Sequence, residues 1–304
     1  MTDFNTRIFA GKILYDTTTI YAGVKLMKKI NLPLAVLVIC ITGTYALVAN
    51  ADNAWKKYHW DKSTADSLDY PLALGNNLTP LQDSIWDSSL LSSSDDWNKS
   101  VLLNRIVAGT GKDNCGPVAG GVEVCNGNYK NNGWLGIAYI WATRGKSNHI
   151  VQAVVKLNDY YFVGNRDHVD WRDYVMCQEI GHTFGLDHQD TNFTNANLGT
   201  CMDYTNDPDG TNLDTNNTAP NDHDYDMMTE IYAHLNSTDS GDDDGKGKGG
   251  GKKSKNAGDG AAIDLNNPSA WGQAIGQDAS GQNNLFERNL SNGQVLVTHV
   301  LWAN

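Results

Sequence analysis

Four side chains suited to metal chemistry fall within one short run, Cys177-Gln178-Glu179-Ile180-Gly181-His182-Thr183-Phe184-Gly185-Leu186-Asp187-His188. Read as a helix ending in a turn, the run places Gln178 and His182 four residues apart on one side, with Glu179 beside them. Gly185 lets the chain leave the helix by a tight turn, so that His188 returns toward the same point. Two imidazoles and an amide oxygen then offer three ligands to a metal ion. The carboxylate of Glu179 is left to act on a water in the fourth position, which is the plan of a catalytic zinc site. The expected ligands are therefore Gln178, His182 and His188, with Glu179 as general base. Glutamine ligates only through its amide oxygen, a harder and weaker donor to zinc than an imidazole nitrogen. Among the other histidines, His149, His168 and His223 are near enough in sequence to be weighed as replacements, His168 being the best placed.

The helix needs a start and a buried side. Asp170 is a plausible N-cap, with Asp173 three residues on as a variant capping box. Met176, Ile180, Thr183 and Phe184 share one side and would face a core, opposite Gln178 and His182.

With its first histidine replaced by Gln178, this stretch resembles the H-E-x-x-H-x-x-G-x-x-H motif of the metzincin clan of zinc endopeptidases, and the matrixin-like members most closely. Cys201-Met202-Asp203-Tyr204 is similar to the clan's Met-turn, which lies beneath the metal. Tyr204 matches a tyrosine that astacin-like and serralysin-like members place near it. The resemblance covers about residues 70–235. It implies an α+β fold: a twisted mixed β-sheet, an active-site helix, a Met-turn built on Met202 and a closing C-terminal helix. It implies a secreted zinc endopeptidase acting on polypeptide, with Tyr204 hydrogen-bonding the developing oxyanion. It also implies that Gly136, Ile137, Ala138 and Tyr139, on a strand at the sheet edge, pair with an extended substrate. Because the active-site helix and the Met-turn lie together in that clan, it implies a Cys177–Cys201 disulfide. Gln178 leaves an alternative, a weak or inactive protein on the same fold that binds polypeptide or glycan.

The rest of the chain sets bounds. It has 304 residues, 40% of them hydrophobic, enough for a sizeable core. A net charge of −12 argues against nucleic acid as a partner. Residues 1–26 read as an extension ahead of a start at Met27. Residues 27–51 read as a signal peptide, with a basic start, an apolar run and Ala49-Asn50-Ala51 as the cleavage site. No stable membrane insertion is expected after cleavage, and the secreted product is read as a monomer. Four cysteines then remain, Cys115, Cys125, Cys177 and Cys201, an even number that suits disulfides in an exported chain.

Along the mature part, residues 52–236 form the main domain. Leu72-Ala73-Leu74 reads as a strand, and Pro80 opens a helix buried through Leu81, Ile85, Leu90 and Trp97. Strands follow at Val101–Val107, Val122–Val124, Trp134–Trp141 and His149–Leu157. Asp207, Asp209, Asn212 and Asp214 have a loose calcium-loop look, which makes Ca²⁺ a secondary cofactor candidate beside Zn²⁺. Asp224–Leu235 reads as the closing helix. Residues 237–260 are a Gly/Asp/Lys-rich linker, and 261–304 a small β segment whose Val297 and His299 face opposite Leu296, Val300 and Trp302. That segment would dock on the main domain or bind a surface or substrate.

Overall fold

Strand β5 (Trp134–Thr143) is buried along nearly its whole length, and the alternation of its side chains divides the molecule into two layers. Ile140 and Ala142 join a core on the helical side, whereas Ile137, Tyr139 and Trp141 join a second core on the other face. The computed structural model describes residues 53–55, 58–61, 71–80, 84–111, 114–145, 148–213, 215–233 and 263–304. The extension 1–26, the expected signal peptide 27–51 and the linker 237–260 lie outside the described residues.

The other strands are β1 (His59–Trp60), β2 (Leu72–Asn77), β3 (Asn104–Ala108), β4 (Gly121–Gly127), β6 (His149–Asn158), β7 (Gln273–Gln277), β8 (Asn283–Asn289) and β9 (Gln294–Trp302). They form one nine-stranded mixed sheet in the order β3-β2-β4-β6-β5-β9-β8-β7, with β1 pairing β6 off this path. The pairs from β3 to β6 are parallel, and those from β6 through β5 and β9 to β7 are antiparallel. Helices α1 (Asp87–Trp97), α2 (Val169–Thr183) and α3 (Asp222–Ile231) complete the α+β architecture. Buried residues of all three, including Leu90, Trp97, Tyr174, Ile180 and Met228, share the helical-side core. On the far face, Leu265 and Trp271 cover Tyr139 and Trp141.

Several boundaries move from the sequence expectation. The first helix starts at Asp87 rather than at Pro80, and Ile85 is 46% exposed instead of buried. The strand expected from Val101 begins at Asn104, where pairing with β2 begins. Helix α2 takes His168 as N-cap without a side-chain cap, while Asp170 lies inside the first turn. The capping box is found instead at α3, between Asn221 and Asp224. Helix α2 is also not two-sided, because every residue from Tyr174 to Thr183 is buried.

The largest correction concerns β5. The sequence reading makes Gly136, Ile137, Ala138 and Tyr139 an open edge. In the structure β9 pairs along the entire length of β5, from Trp134↔Trp302 to Thr143↔Gln294. The run Val295-Leu296-Val297-Thr298 is rich in β-branched residues and buried on both faces, which suits an inner strand. Residues 263–304 therefore continue the main sheet, and Ala49–Asn304 form one unit. Disulfides join Cys115 to Cys125 and Cys177 to Cys201, in keeping with an extracellular protein. Among the described residues no helix is long and apolar enough to cross a membrane.

Candidate metal centre

Three elements deliver one imidazole each. His182 comes from the last turn of α2, His188 from the loop that follows, and His299 from the middle of β9. One nitrogen of each lies within 4.8 Å of the others, a grouping that could hold a metal ion. The turn between the first two depends on Gly185, whose φ of +99° and approach to the Tyr58 carbonyl leave no room for a side chain; a Cβ would stand 2.0 Å from that oxygen. His188 thus returns to within 3.0 Å of His182, Nε2 to Nε2.

The hydrogen bonds fix the tautomers. His182 Nδ1 lies 2.9 Å from the Leu186 carbonyl, which only accepts, so that nitrogen carries the proton. His188 Nδ1 lies 3.2 Å from Asp187 Oδ1 and donates in the same way. With both rings neutral the two Nε2 lone pairs face each other at 3.0 Å, and either a proton or a metal ion between them makes the contact favourable. The spacing is close to the roughly 3.3 Å expected between two nitrogens of a tetrahedral zinc ion. His299 stacks on His182 at 4.0 Å between centroids, and both its ring nitrogens are buried without a hydrogen-bond partner. Burial holds His299 neutral down to about 3, and burial followed by the two neighbouring rings lowers His182 well below the ordinary range. Three imidazoles converging on one point are a donor set that zinc takes.

Asp187 orients the group from behind. Burial pushes its carboxyl up, but the hydrogen bond and charge of His188, with His299 beyond, outweigh this and hold it at about 2. A carboxylate on the distal nitrogen of a ligating histidine fixes the ring and raises its basicity.

The two ends of the Gln178 amide meet different surroundings. Its amide nitrogen donates to the Cys201 carbonyl at 2.7 Å and to the Tyr174 hydroxyl at 3.3 Å. A carbonyl accepts only, so the amide nitrogen must face Cys201, and the Cys177–Cys201 disulfide holds that partner in place. The amide oxygen is turned the other way, buried and without a hydrogen-bond partner. Glu179 has both carboxyl oxygens buried and unpartnered, and burial raises its pKa well above the carboxylate range. Gly136 makes room for it: a Cβ there would stand 2.5 Å from Glu179 Oε1.

Met202 lies beneath the helix, where a Cβ on Gly181 would meet its sulfur at 2.6 Å. Tyr204 packs its ring 4.5 Å from that of His188. Its hydroxyl donates to the Val300 carbonyl of β9 at 3.2 Å and accepts from Asn284 at 3.1 Å. The three histidines weighed from the sequence lie elsewhere: His149 stacks edge-on against His59, His168 pairs with Asp170, and His223 lies in α3. In the acidic loop, both Asp207 carboxyl oxygens accept from Asn212, and one also from the Leu213 amide, so local hydrogen bonds engage this side chain. Asp214 lies outside the described residues.

The functional residue that sequence reasoning missed is His299. One signal for it was present: an imidazole on the face of Val297, within a strand otherwise apolar on that side. No family model matches the chain, and no curated protein matches it.

Proposed function

We propose that this chain is a secreted zinc-dependent endopeptidase of metzincin type, its metal held by His182 and His188 of the α2 turn, with His299 of β9 reaching the same point. The observation that carries the reading is the meeting of three imidazoles from separate elements, with His182 and His188 Nε2 3.0 Å apart and both His299 ring nitrogens buried without a partner. The unpartnered Glu179 carboxyl on the neighbouring residue of α2 adds the acid–base group. When bound, zinc would polarise a scissile carbonyl and make a water more acidic.

The chain's own residues divide the remaining work. Asp187 and the Leu186 carbonyl hold the two rings in the tautomer that presents Nε2. Glu179, with both carboxyl oxygens unpartnered, is the group that would take a proton from water and return it to a leaving amine. The Tyr204 hydroxyl already donates to a main-chain carbonyl, that of Val300, which is the contact an oxyanion donor would make. Gly136 gives the carboxyl its space.

Glu179→Gln keeps the shape and removes the base. It is expected to retain stoichiometric zinc and to lower peptide hydrolysis by roughly 10²–10⁴-fold. Zinc content and casein cleavage of purified protein test the reading together; protein that takes up no stoichiometric zinc removes it. A second reading, a polypeptide-binding protein without catalysis, is favoured by the full burial of Glu179 and His182. It predicts binding that survives both chelation and Glu179→Gln.

A further inference from the structure

We infer that β9 is an intramolecular pseudo-substrate that holds the centre latent, with His299 as its metal-seeking side chain. The inference rests on the peptidase reading above. Three independent contacts treat this strand as a bound extended peptide. Its main chain pairs antiparallel with β5 through the whole span Gly136–Tyr139. The Tyr204 hydroxyl donates to the carbonyl of Val300. The side chain at the intervening position, His299, enters the metal group.

The strand also closes the site. Glu179 is 0% exposed, and His182 and His299 are 1% exposed each. The unpartnered oxygen of Gln178 lies one helical turn before His182, on the same side of α2. In this inference that oxygen is the third donor beside His182 and His188, and His299 takes the fourth position. A zinc ion with four protein donors is the closed arrangement of structural sites, whereas hydrolysis needs one position free for water. Displacing β9 frees that position and the β5 main chain in one movement. An incoming extended polypeptide would then take the same pairing. The ion thus acts as a clip between α2 and β9, and its removal should loosen β9 selectively.

The test uses the full chain, zinc-loaded. His299→Pro removes the imidazole and one ladder hydrogen bond of β9 at the same residue. It is expected to retain zinc on Gln178, His182 and His188 and to cleave casein at least tenfold faster than the wild type. Adding Glu179→Gln to it should abolish that gain. A synthetic peptide with the sequence of residues 294–302 should inhibit the opened variant, and the same peptide with alanine at the His299 position should not. The wild type gives a measurement that needs no variant: chelation should speed amide exchange of Val297–Leu301 at least tenfold, with β4 and β6 little changed. Two outcomes overturn the inference while leaving the peptidase reading standing. One is a folded, zinc-loaded His299→Pro no more active than wild type. The other is a wild type in which β9 exchange ignores chelation. Loss of zinc from folded His299→Pro makes His299 an indispensable ligand and also overturns it. A wild type that binds no zinc removes the peptidase reading itself, which the metal content reports separately.

Discussion

A single missing side chain sets how close Glu179 can lie to β5. Gly136→Ala would put a methyl 2.5 Å from Glu179 Oε1 and 2.7 Å from Val175 Cγ1, both on the packed face of α2. We expect it to cost about 1–3 kcal/mol, read as a lower urea midpoint at unchanged m-value. The local reading of residues 178–188 was sound where chemistry and chain direction decide: the return of His188 follows from Gly185. It was incomplete where a distant partner decides. The spacing of Gln178 from His182 does not report that the Cys201 carbonyl, 23 positions along the chain, engages its amide nitrogen and leaves the oxygen without a hydrogen-bond partner. His299 was invisible for the complementary reason. Its role comes from a strand pairing across the sheet, and no periodicity within residues 294–302 reports which strand lies alongside.

Elements with strong periodicity were legible. Strands β4, β5 and β6 fall where alternating or β-branched runs place them, and α2 falls within a residue or two of its expected span. Sheet order was not legible, because the residues on both faces of β9 fit a docked edge hairpin as well as an inner strand. Two elements carry further predictions. Breaking the Cys177–Cys201 bridge with paired alanines frees a 24-residue separation between α2 and the Met202 turn. It should lower stability by about 2–4 kcal/mol in chemical denaturation. On β6, Lys156 is buried beneath the 263–271 segment, its ammonium donating to Asn266 and lying over the Tyr129 and Tyr139 rings. Burial lowers its pKa to about 8. Between about pH 8 and 10 the unfolded chain therefore holds more protons at this residue than the folded one, and this residue's contribution makes stability rise with pH. Above about pH 10 the trend reverses, since burial raises Tyr129 to about 12 and the folded state then keeps protons that the unfolded chain loses. The contribution of Lys156 is roughly 2 kcal/mol, read as the difference between wild type and Lys156→Met in the pH dependence of Tm, since buried tyrosines such as Tyr174 and Tyr232 pull the other way as pH nears 10.

For the molecule as a whole, the centre joins the helical layer to the far half of the sheet, so metal and global stability are linked. Zinc at a hundred times its Kd adds about 2.7 kcal/mol to folding. For a unit of this size, chelation should lower Tm by about 5–10 °C, in a calorimetric scan at fixed protein concentration. His182 and His188 leave the ribosome long before His299 does, and β5 is made before the strand that covers it. During vectorial synthesis the nascent chain therefore passes through an interval in which helix, loop and Glu179 exist without β9. Until that last strand pairs with β5, Glu179 and the two imidazoles lack the cover they have in the finished chain.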